Sequence, residues 1–151
     1  MSSDYGKNVP CFSSPPDVWP GPSYHHVARA GDFLFLAGQI GRDEDGVLVG
    51  IGDAGVQAAQ VYKNVRSILA SVGAGPGDVI KVTTMLVDRA DNSAVTAERL
   101  LFFGEHRPPH TGMIVAGLGS ADVLLEVEIV AFSPRSVVRN PEEATTGSSF
   151  V

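Results

Sequence analysis

Cysteine, clustered basic residues and long apolar runs are scarce in this chain of 151 residues. A single cysteine, Cys11, excludes an internal disulfide framework and a cysteine-based zinc site. No stretch approaches the roughly 20 apolar residues that a membrane-spanning helix needs. The N-terminus MSSDYGKNVP lacks the apolar core of a secretory signal. We therefore expect a cytoplasmic protein with no membrane contact.

The basic residues are few and scattered. The chain has 11 Lys and Arg against 17 Asp and Glu, a formal net charge of -6. Without a basic stripe there is little counterion release to drive binding to a nucleic acid. The stretch GDAGVQAAQ lacks the lysine and the preceding strand of a phosphate-binding loop. These features argue against a nucleic-acid partner, and they disfavour ribonuclease activity.

Proline divides the chain into a folded centre and two irregular ends. Residues 1–23 carry five prolines, which exclude a regular helix or a central strand there. Such a segment would hang free or wrap the surface, pinned by Trp19. The polar stretch 135–151 is predicted to be a disordered tail. The single domain is expected at 24–134.

Hydrophobic periodicity within the domain predicts the order β-β-α-β-α-β-β. The clearest helix begins at Asp53 as N-cap and stops at Gly73, and a second helix has Asn92 or Ser93 as its cap. A turn at Gly119-Ser120 is predicted to join the last two strands. The predicted strands are 32–40, 47–50, 79–88, 112–118 and 122–132, and the second helix is 92–106. Since two helices cannot cover both faces of such a sheet, we expect an α+β fold with helices on one face.

The last strand has two different faces. Its first set, which would pack under the helices, comprises Leu125, Val127, Ile129 and Ala131. Its second set mixes carboxylates with large apolar groups: Leu124, Glu126, Glu128, Val130 and Phe132. Because such a mixed surface is unusual in open solvent, it indicates a subunit interface with polar groups at a rim or cleft.

Several segments in this order resemble the Rid family of reactive intermediate deaminases, also called YjgF or L-PSP endoribonucleases. They are GDFLFLAGQIG, NVRSILASVGAGPGDVIKVTTMLVD, a helix ending in Phe-Phe, a Pro-x-x-Thr turn and LEVEIVA, within about residues 21–133. The resemblance implies a chorismate-mutase-like fold with a mixed sheet, a homotrimer, and small-molecule sites in clefts between subunits. Deaminases of this family hydrolyse enamine or imine acids without metal or organic cofactor.

The resemblance also implies site residues. The deaminases hold the substrate carboxylate with the arginine of a Pro-Ala-Arg-Ser turn, and His110 stands in its place in Pro108-Pro109-His110-Thr111. A family tyrosine matches Tyr24, fourteen residues before Gly38. Ala37 stands where relatives have a small hydroxyl residue. Glu126 matches the glutamate thought to position the hydrolytic water. The tyrosine and glutamate are thus present, and the carboxylate clamp is lost.

We predict Glu126, His110 and Tyr24 as catalytic residues. A partly desolvated carboxyl and an imidazole can exchange protons near neutral pH, and a phenol can donate a hydrogen bond. The residues predicted to contact substrate are Arg107, Thr111, Gly112 and Ala37, with Arg107 as a replacement for the missing guanidinium. No metal is expected, because a site combining His25 or His26 with His110 and Glu126 would require two subunits.

Other interpretations remain open on the sequence alone. The same cleft suits a tautomerase or lyase of a dedicated pathway, and it also suits a ligand-binding trimer without chemistry. In RPPHTG, His110 is equally consistent with a polar residue in a tight turn. Tyr24 is consistent with a ring packed at a sheet edge, and Glu126 with a solvated strand carboxylate.

Overall fold

The computed structural model describes residues 9–135, which form one six-stranded mixed sheet with two helices on one face. Residues 1–8 and most of the predicted tail lie outside the described part of the chain. The elements are β1 (Cys11–Ser13), β2 (Val27–Ala30), β3 (Phe33–Gln39), α1 (Ala54–Ser71), β4 (Val79–Leu86), α2 (Asn92–Phe103), β5 (His110–Ile114) and β6 (Leu125–Phe132). The predicted α+β architecture is confirmed.

The strand order across the sheet is β1-β2-β3-β6-β4-β5. Four neighbouring pairs are antiparallel, and only β4 and β5 run parallel. Parallel neighbours need a crossover connection, and α2 provides it. This crossover carries β5 to one edge of the sheet, while β6 returns to the middle between β3 and β4.

Helix α1 follows its predicted limits. The Asp53 side chain accepts a hydrogen bond from the backbone N–H of Val56, and so satisfies one of the free donors of the first turn. The helix ends at Ser71, two residues before Gly73, whose φ of 77° favours glycine. One apolar face of the helix is buried at Ala58, Tyr62, Val65 and Leu69, and Val72 at its end is partly buried.

The two faces of the sheet differ in exposure. On the helix face, β6 buries Leu125, Val127, Ile129 and Ala131, as predicted from its alternation. The opposite face, here called the open face, is covered by no helix or strand within residues 9–135. It exposes large apolar groups, namely Phe33 (44%), Phe35 (48%), Ile80 (41%), Met113 (43%) and Phe132 (40%). The open face is therefore a large apolar surface, which monomeric proteins rarely leave uncovered.

The first strands differ from the prediction. The strand expected at 47–50 is absent, and a single bridge joins Arg42 to Leu48 there. The Asp43 carboxylate holds this loop by accepting hydrogen bonds from the N–H groups of Asp45 and Val47. Two short strands, β1 and β2, were not predicted, and β1 lies within residues 1–23, where the prolines argued against regular structure. β1 itself contains no proline and is an edge strand of the sheet, which agrees with the rule that excludes proline from central strands.

The end of the domain differs as well. β5 was expected at 112–118 and paired with the last strand, but it begins at His110 and pairs with β4. Helix α2 begins after Asp91 rather than at Asn92 or Ser93 as cap. It ends at Phe103, because Gly104 takes a φ of 60° and reverses the chain. None of the helices between residues 9 and 135 is both long and apolar enough to cross a membrane.

Candidate functional site

A β-bulge in β3 organises the candidate site. Leu36 pairs with Ile129 and Gln39 with Val127, so β3 advances by three residues where β6 advances by two. The extra residue lies at Ala37-Gly38, and the Ala37 N–H turns away from β6 to donate to the His26 carbonyl at 2.9 Å. Bulges of this kind bend a strand and redirect side chains, and they are frequent beside active sites.

The bulge brings Gly38 into close contact with Glu126 of β6. A Cβ atom added to Gly38 would lie 1.9 Å from Oε1 of Glu126, so only glycine leaves room for this carboxyl. Burial raises the pKa of Glu126, and the negative charge of Glu128 raises it further. The carboxyl therefore holds its proton to a higher pH than an ordinary glutamate, which suits it to acid–base chemistry.

Tyr24 shares a pocket with Glu126. This cavity of about 280 Å³, here called the Tyr24–Glu126 pocket, is lined by Tyr24, Ala37, Gly38, Ile40, Gly119 and Glu126. The Tyr24 ring is 46% exposed and packs against Gly21, where an added Cβ would lie 2.4 Å from the ring. Three residues predicted for the site, Tyr24, Ala37 and Glu126, are thus brought together by β3, β6 and the segment before β2.

A buried histidine, His26, connects two segments next to this pocket. His26 is 3% exposed, and its Nε2 lies 2.7 Å from the Trp19 carbonyl. Its Nδ1 lies 3.1 Å from the amide nitrogen of Gln39. Since that amide nitrogen donates, Nδ1 accepts and Nε2–H donates to Trp19. Both ring nitrogens are thus engaged, and they anchor the proline-rich segment to the bulged strand.

His110 lies at a different place in the fold. It begins β5 in register with Val82, a residue buried under the helices. Its Nε2 lies 2.5 Å from a guanidinium nitrogen of Arg99 in α2 and 3.1 Å from Oγ1 of the buried Thr84. The imidazole therefore lies on the helix face, whereas Glu126 lies on the open face. Within one chain, His110 does not join Tyr24 and Glu126.

The surroundings of His110 fix its protonation state. Burial lowers its pKa, and the positive charges of Arg99 and Lys81 lower it further. A guanidinium can only donate, so Nε2 is an acceptor and the remaining proton belongs to Nδ1. His110 is thus a neutral imidazole near neutral pH. His110 is the first residue of strand β5, so the stretch RPPHTG is not simply a tight turn.

The remaining predicted contacts surround β5. The Thr111 hydroxyl accepts a hydrogen bond from Nζ of Lys81 at 2.6 Å. Gly112 lies beside the His110 ring, which an added Cβ would meet at 3.4 Å. Arg107 donates to the carbonyls of Gly104 and His106, so its guanidinium is engaged by its own loop. In this arrangement Arg107 does not reach the Tyr24–Glu126 pocket. Among residues 9–135, no cluster of three or more His, Cys, Asp or Glu could hold a metal ion.

Sequence reasoning missed two residues that shape these sites. Gly38 was used only as a marker for Tyr24, although an isolated glycine in a strand pattern is a known sign of a bulge. Arg99 was not considered, because its role depends on α2 lying over β5 and no local pattern shows this. The contact between Arg99 and His110 is visible only in the folded chain.

The family model for Endoribonuclease L-PSP matches residues 18–133, which is most of the chain and all of the candidate site. The chain belongs to this family, the YjgF/Rid family. A RutC family protein of Pyrococcus horikoshii is 38% identical to this Rid protein over 112 residues, covering 74% of this chain and 87% of the relative. The 2-iminobutanoate/2-iminopropanoate deaminase of Salmonella typhimurium is 30% identical over 128 residues, covering 83% and 96%.

The solved structures agree with this assignment. The crystal structure of yeast Mmf1 superposes on the Rid protein with a TM-score of 0.78 and 28% sequence identity. The match covers 83% of this chain and 99% of Mmf1. The fold of these relatives therefore matches the mixed sheet with its two helices.

Proposed function

We propose that this Rid protein hydrolyses a small enamine- or imine-type intermediate, with Glu126 as the acid–base residue. The observation that carries the proposal is the Tyr24–Glu126 pocket, where a half-buried carboxyl with a raised pKa is held against Gly38. Such a cavity is close to the size of small-ligand sites in other proteins. Its position in the fold of a family that contains imine deaminases adds support.

The reaction needs one acid–base group and water. In its ionised form Glu126 takes a proton from water as the water oxygen adds to the carbon of the protonated C=N bond, which gives a neutral carbinolamine with OH and NH2 on the same carbon. Glu126 then gives this proton to the nitrogen. The C–N bond breaks as the hydroxyl proton passes back to Glu126, so a keto compound and ammonia leave, and ammonia takes the last proton as ammonium. Tyr24 provides a hydroxyl donor to orient the substrate. An enamine first takes a proton on carbon to give the protonated imine.

We further propose that the protein acts as a homotrimer with its reaction cleft between subunits. The apolar open face supports assembly, because a partner would cover Phe35, Phe132 and Met113. The separation of His110 from Glu126 also supports it. Since the two side chains lie on opposite faces of one sheet, a shared substrate requires Glu126 from one copy and His110 from the next.

A second candidate is a non-hydrolytic proton-transfer enzyme, such as a tautomerase or lyase, in the same pocket. The observation in its favour is His110, which stands at the position of the deaminase arginine and is held neutral. A neutral imidazole cannot form the ion pair with which an arginine selects a carboxylate. Substrates without a carboxylate therefore become accessible.

The deciding experiment is a deaminase assay with 2-iminobutanoate generated in situ. We expect the wild-type protein to accelerate ammonia release and Glu126→Gln to lose at least a hundredfold in kcat/KM, a general-base effect of ordinary size. Glu128→Gln is the matched control, two residues along the same strand face, and should keep its activity at alkaline pH. A wild-type protein without activity, or an active Glu126→Gln variant, would contradict the proposal.

The same pair of variants tests the pH dependence. The Glu126 carboxylate is the active form, so the rate should fall as the pH drops through its raised pKa. Replacing Glu128 by glutamine removes a neighbouring negative charge and lowers the pKa of Glu126. The acid limb of the kcat/KM profile should therefore move to lower pH in Glu128→Gln. An unchanged acid limb would show that Glu128 does not act on the catalytic carboxyl.

A further inference from the structure

A second cavity lies on the helix face beside His110. It has a volume of about 200 Å³ and is enclosed by the last turns of α2, the loop that follows, and β5. One part of its lining is apolar and includes Val82, Leu100 and Phe103. The other part is basic and consists of Arg99, His106, Arg107 and His110. None of the lining side chains is acidic, so the pocket is electropositive.

Arg99 is the side chain best placed to bind an anion there. It is only partly exposed, and its guanidinium meets the Nε2 acceptor of His110. Because His110 is neutral, this contact leaves the charge of Arg99 uncompensated within the pocket. Arg107, by contrast, already donates to two carbonyls of its own loop. A carboxylate would pair with a guanidinium through two parallel hydrogen bonds, which a neutral imidazole cannot offer.

The buried hydroxyl near this cluster does not neutralise Arg99. The Tyr62 hydroxyl is buried and lies near Thr84 and Arg99. Burial raises the pKa of Tyr62 to about 12, although the charge of Arg99 acts in the opposite direction. The hydroxyl therefore stays protonated, and it offers no negative charge that would neutralise Arg99.

We propose that Arg99 binds the carboxylate of a short-chain 2-imino or 2-keto acid in this pocket, with the alkyl chain against Leu100 and Phe103. The inference rests on the proposed function, since it places the carboxylate of the imine substrate. Arg99, which lies in α2, thereby binds the carboxylate in place of the family arginine, at whose position His110 stands. The pocket lies beside β5, an edge strand, and the proposed deamination requires Glu126 of a neighbouring copy to face the reacting carbon there.

The test is calorimetric titration of the full chain with 2-oxobutanoate, a stable keto acid, and with the neutral ketone butanone. Wild type should bind 2-oxobutanoate but not butanone. Arg99→Gln should weaken binding by roughly ten- to hundredfold, the usual range for losing a charge-assisted contact. Arg99→Lys keeps the charge without the bidentate fork and should give an intermediate loss. Arg89→Gln, an exposed arginine just before α2, is the matched control and should bind as wild type.

Binding and turnover separate the two proposals. Suppose that 2-oxobutanoate binds in an Arg99-dependent manner, while the protein does not release ammonia from 2-iminobutanoate. Then the pocket is confirmed and the deaminase proposal is wrong. Suppose instead that the protein deaminates, while Arg99→Gln leaves KM and 2-oxobutanoate binding unchanged. Then Arg99 is not the carboxylate contact. Equal binding to a correctly folded Arg99→Gln variant, judged by circular dichroism, overturns the inference by itself.

Discussion

At the scale of single residues, Gly38 is a position where a substitution should reduce activity without destabilising the fold. Alanine at this position would meet Oε1 and Cδ of Glu126 at 1.9 and 2.8 Å. These atoms are the mobile end of a long side chain, so the carboxyl moves away and the backbone stays. Gly38 also lacks the positive φ that would make alanine strained.

We therefore expect Gly38→Ala to reduce kcat/KM for 2-iminobutanoate by at least tenfold, since a displacement of about 1 Å has effects of this order. Its melting temperature should change by no more than a few degrees. Gly117→Ala is the matched control, because an added Cβ meets no atom within 4 Å there. If Gly38→Ala kept full activity, the position of the Glu126 carboxyl would not matter for the reaction.

At the scale of elements, Gln57 ties helix α1 to the loop that precedes β6. Its side chain is fully buried. The amide donates to the carbonyls of Gly50 and Asp122 at 3.2 and 2.8 Å, and its oxygen accepts from the N–H of Leu124 at 2.9 Å. One side chain thus satisfies three backbone groups. The same loop supplies Gly119 to the Tyr24–Glu126 pocket.

Gln57→Leu should lower the free energy of unfolding by about 2–4 kcal/mol, because it leaves these buried backbone groups without partners. Urea denaturation measures the change. Gln60→Leu is the control on the same helix, since its amide bonds only the side chain of Asn64 and should lose less than about 1 kcal/mol. Equal losses in both variants would mean that the Gln57 contacts to the loop contribute little.

The elements also show which parts of the fold were predictable. Helix α1 and the alternation of β6 were predicted because one cap and one period determine each of them locally. The pairing of β5 was predicted wrongly, since a turn signal near Gly119 suggested a hairpin. β5 pairs with β4 instead, because helix α2 forms the crossover between these two parallel strands. This pairing is a non-local contact. The face on which His110 lies depends on that pairing, so no local sequence pattern could predict that His110 and Glu126 lie apart.

The site was predictable in part for the same reason. Tyr24, Ala37 and Glu126 were inferred from the resemblance to the Rid family, and they share one pocket because β3 and β6 are neighbours. The bulge that brings Gly38 onto Glu126 was not recognised, although a glycine in the strand marked it. Arg99 gave no signal at all, because an arginine in a helix is usually a solvated surface residue.

At the scale of the whole molecule, the open face is an apolar surface that residues 9–135 of one chain leave exposed. Phe35, Phe132 and Met113 are each at least 40% exposed, and the Phe33 ring packs edge-on against Phe132 at 5.2 Å. The proposed trimer would cover this surface and would form its cleft beside Glu126, which lies on the same face. Assembly and activity are therefore expected to depend on the same face.

We expect light scattering after size exclusion to give three times 15.8 kDa, about 47 kDa, for the wild-type protein. Phe35→Asp should give a folded monomer of 15.8 kDa without deaminase activity, because a charge on the open face opposes docking while the core stays intact. Leu101→Asp is the matched control, since Leu101 is 75% exposed on α2, away from this face. A Phe35→Asp variant with the wild-type mass would show that the open face is not the interface. A fully active monomer would show that one chain contains the whole site.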